Sequence, residues 1–95
     1  MSYVKLFKLS NGEEIVARKK GELDSQEAVI LEQPMVIQAV PSEQKGRIGI
    51  ALIPWIVGAE ENIKVNLTLD HILVETDPKE TIEKNYLSKL TGLTL

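Results

Sequence analysis

"YVKLFKLSNGEEIVARKK" (residues 3–20) decides the fold class. Val4, Leu6 and Lys8 alternate with Lys5, Phe7 and Leu9, and Ile15 and Ala17 alternate with Val16 and Arg18. Successive side chains of a strand point to opposite faces, so a period of two predicts two strands. Asn11-Gly12 lies between the runs. Both residues tolerate positive φ, which makes the pair a strong hairpin signal. The chain therefore opens on antiparallel β structure.

Further along, "GELDSQE" (21–27) is polar and reads as a loop. "AVILEQPMVIQAV" (28–40) is β-branched and aliphatic. Pro34 cannot donate to a ladder, so this strand is expected to bend, bulge or lie at an edge there. "PSEQKG" (41–46) is a second turn. "RIGIALIPWIVGAEE" (47–61) is the most apolar segment and holds the only tryptophan, Trp55. "AEEN" (59–62) reads as a loop, and "IKVNLTLDHILVETD" (63–77) as one or two more strands, so the fourth strand proper is either of two segments.

"DPKETIEKNYLSKLTGL" (77–93) differs in kind. Asp77 stands as N-cap, Pro78 at the first helical position and Glu80 where a capping box wants it. Ile82, Tyr86, Leu87 and Leu90 fall on one helical face. Gly92 suits the C′ position. About five short strands and then a helix, without long crossovers, predict a mainly β fold. The expectation is a small, strongly bent five-stranded antiparallel barrel with one C-terminal helix over one end. It forms a single domain over residues 1–95, with the barrel at about 3–76 and the helix at about 78–91.

Ninety-five residues make a thin core, burying roughly 60–65% of the surface the unfolded chain exposes. Small chains lean on disulfides, metals or partner subunits. There is no cysteine, and His71 is the only histidine, so neither a disulfide nor zinc is expected and no cofactor is implied. Self-association remains. Net charge is −3 and the pI is about 5.1, which argues against a broad DNA-coating face. The N-terminus has no signal-peptide layout, and the apolar run is shorter than the roughly 20 residues a membrane helix needs. A cytoplasmic protein is expected, with neither a membrane nor DNA as partner.

"LSNGEEIVARKKGELDSQEAVIL" (9–31) resembles the first motif of the Sm and Sm-like RNA-binding family. Gly12 matches the turn glycine and Asp24 the loop aspartate. Ala28 stands where the family has an asparagine. "PWIVGAEE" and "LTLDHIL", with the capped C-terminal helix, look like the small Sm-like proteins attributed to marine cyanophages. The resemblance implies RNA binding or a role in RNA metabolism in the cytoplasm of a phage-infected host. It also implies a homo-oligomeric closed ring of about five to seven subunits. Two departures stand against RNA. Ala28 has no side-chain donor or acceptor. Thr68-Leu69 falls where Arg-Gly would, so no guanidinium is present to pair with phosphate. The alternative is a structural or adaptor ring that binds protein and has lost the RNA pocket.

The candidate residues follow. Lys5, Lys8, Arg18, Lys19 and Lys20 form the basic cluster, which reads either as a lysine-blunted edge or as a phosphate contact for single-stranded RNA. Asp24, Ser25 and Gln26 lie, by resemblance, at the ring's pore, where Ser25 and Gln26 would meet a base edge. Asp24 and Glu27 are too few carboxylates for a calcium loop. Asp70-His71 is no catalytic pair, because neighbours on a strand diverge and no nucleophile is placed by any motif. An enzyme is not expected, and His71 joins the RNA or subunit-contact candidates. Trp55 reads as a core residue in a bent strand or as an anchor between subunits. The continuous apolar run favours the second. Ile50, Leu52, Trp55, Ile56, Leu73 and Val74 are the expected subunit interface.

Overall fold

A computed structural model describes residues 3–41, 48–60 and 62–90, with the backbone alone for Gln26 and Ile48. Of the turn expected at 41–46, Pro41 ends β3, and residues 42–46, Arg47 and the C′ residue Gly92 lie outside the described residues. The elements are β1 (Val4–Leu9), β2 (Glu14–Leu23), a 3-10 turn (Asp24–Gln26), β3 (Ala28–Pro41), β4 (Ile48–Pro54), β5 (Lys64–Thr68), a second 3-10 turn (Leu69–His71), β6 (Ile72–Thr76) and helix α1 (Glu80–Leu90).

The hairpin forms as its pattern predicts, with Lys5 opposite Ala17 and Phe7 opposite Ile15. Its loop has three residues, Ser10, Asn11 and Gly12. The Gly12 N–H donates to Leu9 O at 2.9 Å and the Leu9 N–H to Glu13 O at 2.8 Å. Gly12 alone takes positive φ, at 93°. Asn11 contributes its side chain, accepting from the Glu13 N–H at 3.0 Å and donating to the Glu13 carboxylate at 2.8 Å.

All pairings are antiparallel, and the order across the sheet is β4-β3-β2-β1-β6 with β5 also on β3. Six strands fill five positions. β4 pairs with residues 35–41 of β3, and β5 pairs with residues 28–32 on the same side of it. Both segments proposed for the fourth strand therefore belong to it. Residues 55–63 interrupt them opposite the bend in β3. The ladder runs up to the interruption from both ends, because Trp55 N–H donates to Pro34 O at 3.0 Å and Gln33 N–H to Ile63 O at 2.8 Å.

The bend lies where Pro34 led us to expect one. Between Val16 and Arg18 the register slips, leaving Gln33 and Pro34 as a bulge on β3, with Gln33 at φ 51°. A second slip between Lys19 and Gly21 twists β2 further. The sheet curls strongly but does not close. Among the described residues no ladder joins β6 to β4 or β5. The turn Leu69–His71 spans the gap instead, with Leu69 N–H on Glu27 O (2.7 Å) and His71 O accepting from Ser10 N–H (2.8 Å).

The sheet packs on both faces. Phe7, Leu9, Ile15, Ala17, Val29 and Leu31 line its concave side. Val4, Val16 and Leu52 meet Ile82 and Tyr86 of α1 on the other. The helix thus covers the outer face of the bend, not one end. Each fully buried side chain contributes about 1.5–3 kcal/mol, so this second layer supports a core that one layer would leave thin. Two helix expectations need correction. The helix begins at Glu80, and Glu83 N–H donates to Lys79 O. Lys79 is the residue before the first helical turn, and the Asp77 carboxylate pairs with Lys5 at 2.7 Å. Leu87 lies at the edge of the packed stripe and is 39% exposed, because Ile82, Tyr86 and Leu90 already fill the contact with the sheet.

Candidate functional site

The hairpin carries its five cations each beside an oxygen acceptor. Lys5 meets Asp77. Lys8 donates to Gly12 O at 2.9 Å and lies 3.7 Å from Glu14. Arg18 donates to Gln33 Oε1 at 2.7 Å and pairs with Glu32 at 3.0 Å. Lys19 lies between Glu22 (2.9 Å) and Glu75 (3.0 Å). Burial works to lower the Lys19 pKa, but hydrogen bonds and attraction from the two carboxylates outweigh it, and the pKa lies above its ordinary value. Lys20 and Lys64 approach the half-buried Glu32 at 3.9 and 3.8 Å. Exposed pairs of this kind contribute roughly 0–1 kcal/mol each. Their larger effect is on potential, since the basic stripe of the sequence is interleaved with acid in space.

Asp24 and Ser25 stand exposed on the first 3-10 turn, and the Gln26 side chain lies outside the described residues. Beside this turn, Ala28 is the register partner of Thr68. The two positions where the Sm pattern has asparagine and Arg-Gly are therefore neighbours. A cavity of about 140 Å³ lies beside Ala28, lined also by Glu22, Leu23, Asp24, Glu27 and Leu69. Three of the six carry carboxylates and none is a cation. An anionic backbone entering here would meet repulsion and no guanidinium. His71 does not line this cavity. It ends the second 3-10 turn just before β6, its carbonyl held by Ser10. Glu22 and Leu69 were missed by sequence reasoning, and Glu27 was weighed only as a calcium ligand. The β2–β3 turn sets Glu22 beside Glu27, and the pairing of β3 with β5 adds Leu69.

The expected interface residues divide. Ile50 on β4, Ile56, and Leu73 and Val74 on β6 are exposed, with Ile50 at 51% and Leu73 at 64%. Leu52 is buried under α1. Trp55 packs against the concave core, and its indole N–H donates to Glu13 Oε1 at 3.1 Å. β4 and β6 are the outer strands of the sheet, so Ile50 lies on one outer strand and Leu73 and Val74 on the other.

Among the described residues no three or more His, Cys, Asp or Glu are grouped to hold a metal, and no helix is long and apolar enough to cross a membrane. No curated protein matches the chain significantly. Residues 6–87, from β1 almost to the end of α1, match the Sm_like domain. With most of its length accounted for by that match, and with a strongly bent antiparallel sheet carrying one C-terminal helix, the chain belongs to the Sm-like family.

Proposed function

We propose that the chain is a self-assembling Sm-type scaffold that presents a protein-binding ring and does not read RNA through the family's base pocket. One observation carries this reading. Ala28 and Thr68 face each other where that pocket would lie, and Glu22, Asp24 and Glu27 line the cavity beside Ala28. Assembly is supported by the two outer strands. Among the described residues no strand pairs with their outer edges, and Ile50, Leu73 and Val74 supply exposed apolar surface. Pairing β4 of one copy with β6 of the next uses both edges, and repeating one rotation closes a ring. A phage origin and work in the cytoplasm of its host rest on the sequence resemblance and go with this proposal.

A second reading is weak RNA backbone binding on the hairpin. It is favoured by Arg18, Lys20 and Lys64 sharing one carboxylate, Glu32, which leaves that patch positive. Titration with uridine-rich and adenine-rich oligonucleotides at two salt concentrations separates the readings. The scaffold reading expects no saturable binding at physiological salt. Binding that collapses with salt and weakens in Lys20→Ala and Lys64→Ala supports the hairpin reading. Tight binding that resists salt and depends on Ser25 would overturn the proposal.

A further inference from the structure

Arg18, Glu32 and Lys64 stand in one row across three strands, because Arg18 is the register partner of Glu32 and Glu32 of Lys64. Register partners share a face of the sheet. Their sequence neighbours Ala17, Leu31 and Val65 pack in the concave core, so the row lies on the outer side. It leaves the cover of α1 at Arg18, whose other register partner, Val4, packs with the helix. Lys20 reaches the same carboxylate from further along β2. Ile30, two residues before Glu32 and therefore on the same face, is half-buried.

The charges of this row do not cancel. Among the described residues Lys5, Lys8 and Lys19 each have a carboxylate of their own. Arg18, Lys20 and Lys64 have only Glu32 between them, and three cations against one carboxylate leave two positive charges in excess. The Glu32 side chain is 16% exposed, whereas those of Lys20 and Lys64 are 49% and 63% exposed. The acid is the sheltered member, and the two amines face solvent. Arg18 is fixed, since its Nη2 meets both Gln33 and Glu32. Its buried Nε finds no acceptor among the described residues. A fixed planar guanidinium beside two flexible ammonium groups suits an oxyanion. The charge selects which one. A phosphate monoester carries about −1.5 to −2 near pH 7, whereas each phosphate of a nucleic-acid backbone carries a single negative charge. With the remaining hairpin cations paired, no track of free charge leads away from the cluster.

We infer that Arg18, Lys20 and Lys64 form a binding site for one phosphate group in its dianionic form, free or as a monoester. The site stands apart from ring assembly, and it takes a single phosphate rather than a run of diesters. NMR titration of the full chain tests it at fixed ionic strength and about pH 8, where a monoester is a dianion. The probes are inorganic phosphate, phenyl phosphate and dimethyl phosphate, followed at the Arg18 Nε–H and at the Glu32 and Lys64 amides. Saturable shifts with either of the first two are expected, and tighter binding of phenyl phosphate identifies an organic ester as the source, with Ile30 beside it. Dimethyl phosphate, a monoanionic diester, should bind several-fold more weakly. Lys20→Ala and Lys64→Ala change exposed side chains and should each weaken monoester binding several-fold. Glu32→Gln removes the opposing charge and should tighten it. If Glu32→Gln does not fold, the lysine variants decide. Shifts that do not saturate, or that survive both lysine changes, overturn the inference. Dimethyl phosphate binding as tightly as phenyl phosphate also overturns it, in favour of RNA backbone contact.

Discussion

The backbone N–H of Arg18 donates to the Tyr86 hydroxyl at 3.1 Å, across 68 residues of chain. The same hydroxyl lies 3.0 Å from the carbonyls of Glu32 and Gln33. Those three backbone groups are where the β2–β3 register slips at the bulge. A bulge leaves ladder groups without their usual partners, and buried ones are costly. Tyr86 is fully buried and serves them from the far end of the sequence. The helix thus holds the bend that shapes the sheet.

Removing only the hydroxyl should therefore be felt. Tyr86→Phe removes the hydroxyl shared by three part-buried backbone groups and is expected to cost about 1–3 kcal/mol in urea unfolding. Leu87→Ala, one residue along but on the exposed side, should stay within about 0.5 kcal/mol. Equal effects from both would mean that the helix contributes only bulk.

Burial pushes the Tyr86 pKa from 10.0 up to about 12, against the smaller opposing influence of Arg18. A phenol with a raised folded pKa favours the neutral state on folding. Its contribution is intact below pH 10 and is lost as pH rises from 10 towards 12. Two pKa units correspond to about 2–3 kcal/mol. In Tyr3→Phe, where Tyr86 is the only tyrosine, phenolate absorbance should appear near pH 12 together with loss of structure. A reversible titration near pH 10 in a folded chain would contradict this.

Trp55 packs, partly buried, against the core within the subunit. Trp55→Ala should destabilise the fold by about 2–3 kcal/mol, below the roughly 3–5 of a fully buried tryptophan, and independently of protein concentration. Glu13→Ala, which removes the acceptor shared by the indole and the Asn11 side chain, should cost about 1 kcal/mol. An effect of Trp55→Ala that vanishes on dilution would place the side chain between subunits.

Local signals in the sequence showed much of this fold. Asn11-Gly12 marked the hairpin, Pro34 marked the bend, and the spacing of Ile82, Tyr86 and Leu90 marked the helix and its buried face. What was hidden depends on long-range register. No local pattern says that "IGIALIP" and "KVNLT" share one side of β3, because that follows from Ala28 meeting Thr68 and Pro41 meeting Ile48. Nor does charge along the chain show that Glu75 and Asp77 come back to Lys19 and Lys5. The candidate site changed for that reason. A stripe of five cations in sequence is a set of ion pairs in space.

Edge substitutions should act on assembly and spare the fold. Ile50→Lys and Val74→Lys each place a charge on an exposed outer strand, where folding costs little but strand addition is blocked. Each is expected to lower the mass in light scattering while leaving the urea midpoint of the subunit nearly unchanged. Loss of fold in both would show that these side chains serve the core.

Sedimentation velocity on the unaltered chain at micromolar concentration tests the scaffold directly. The account predicts one closed species several times the 10.6 kDa subunit mass, with no ladder of larger forms. A monodisperse species at 10.6 kDa would contradict it.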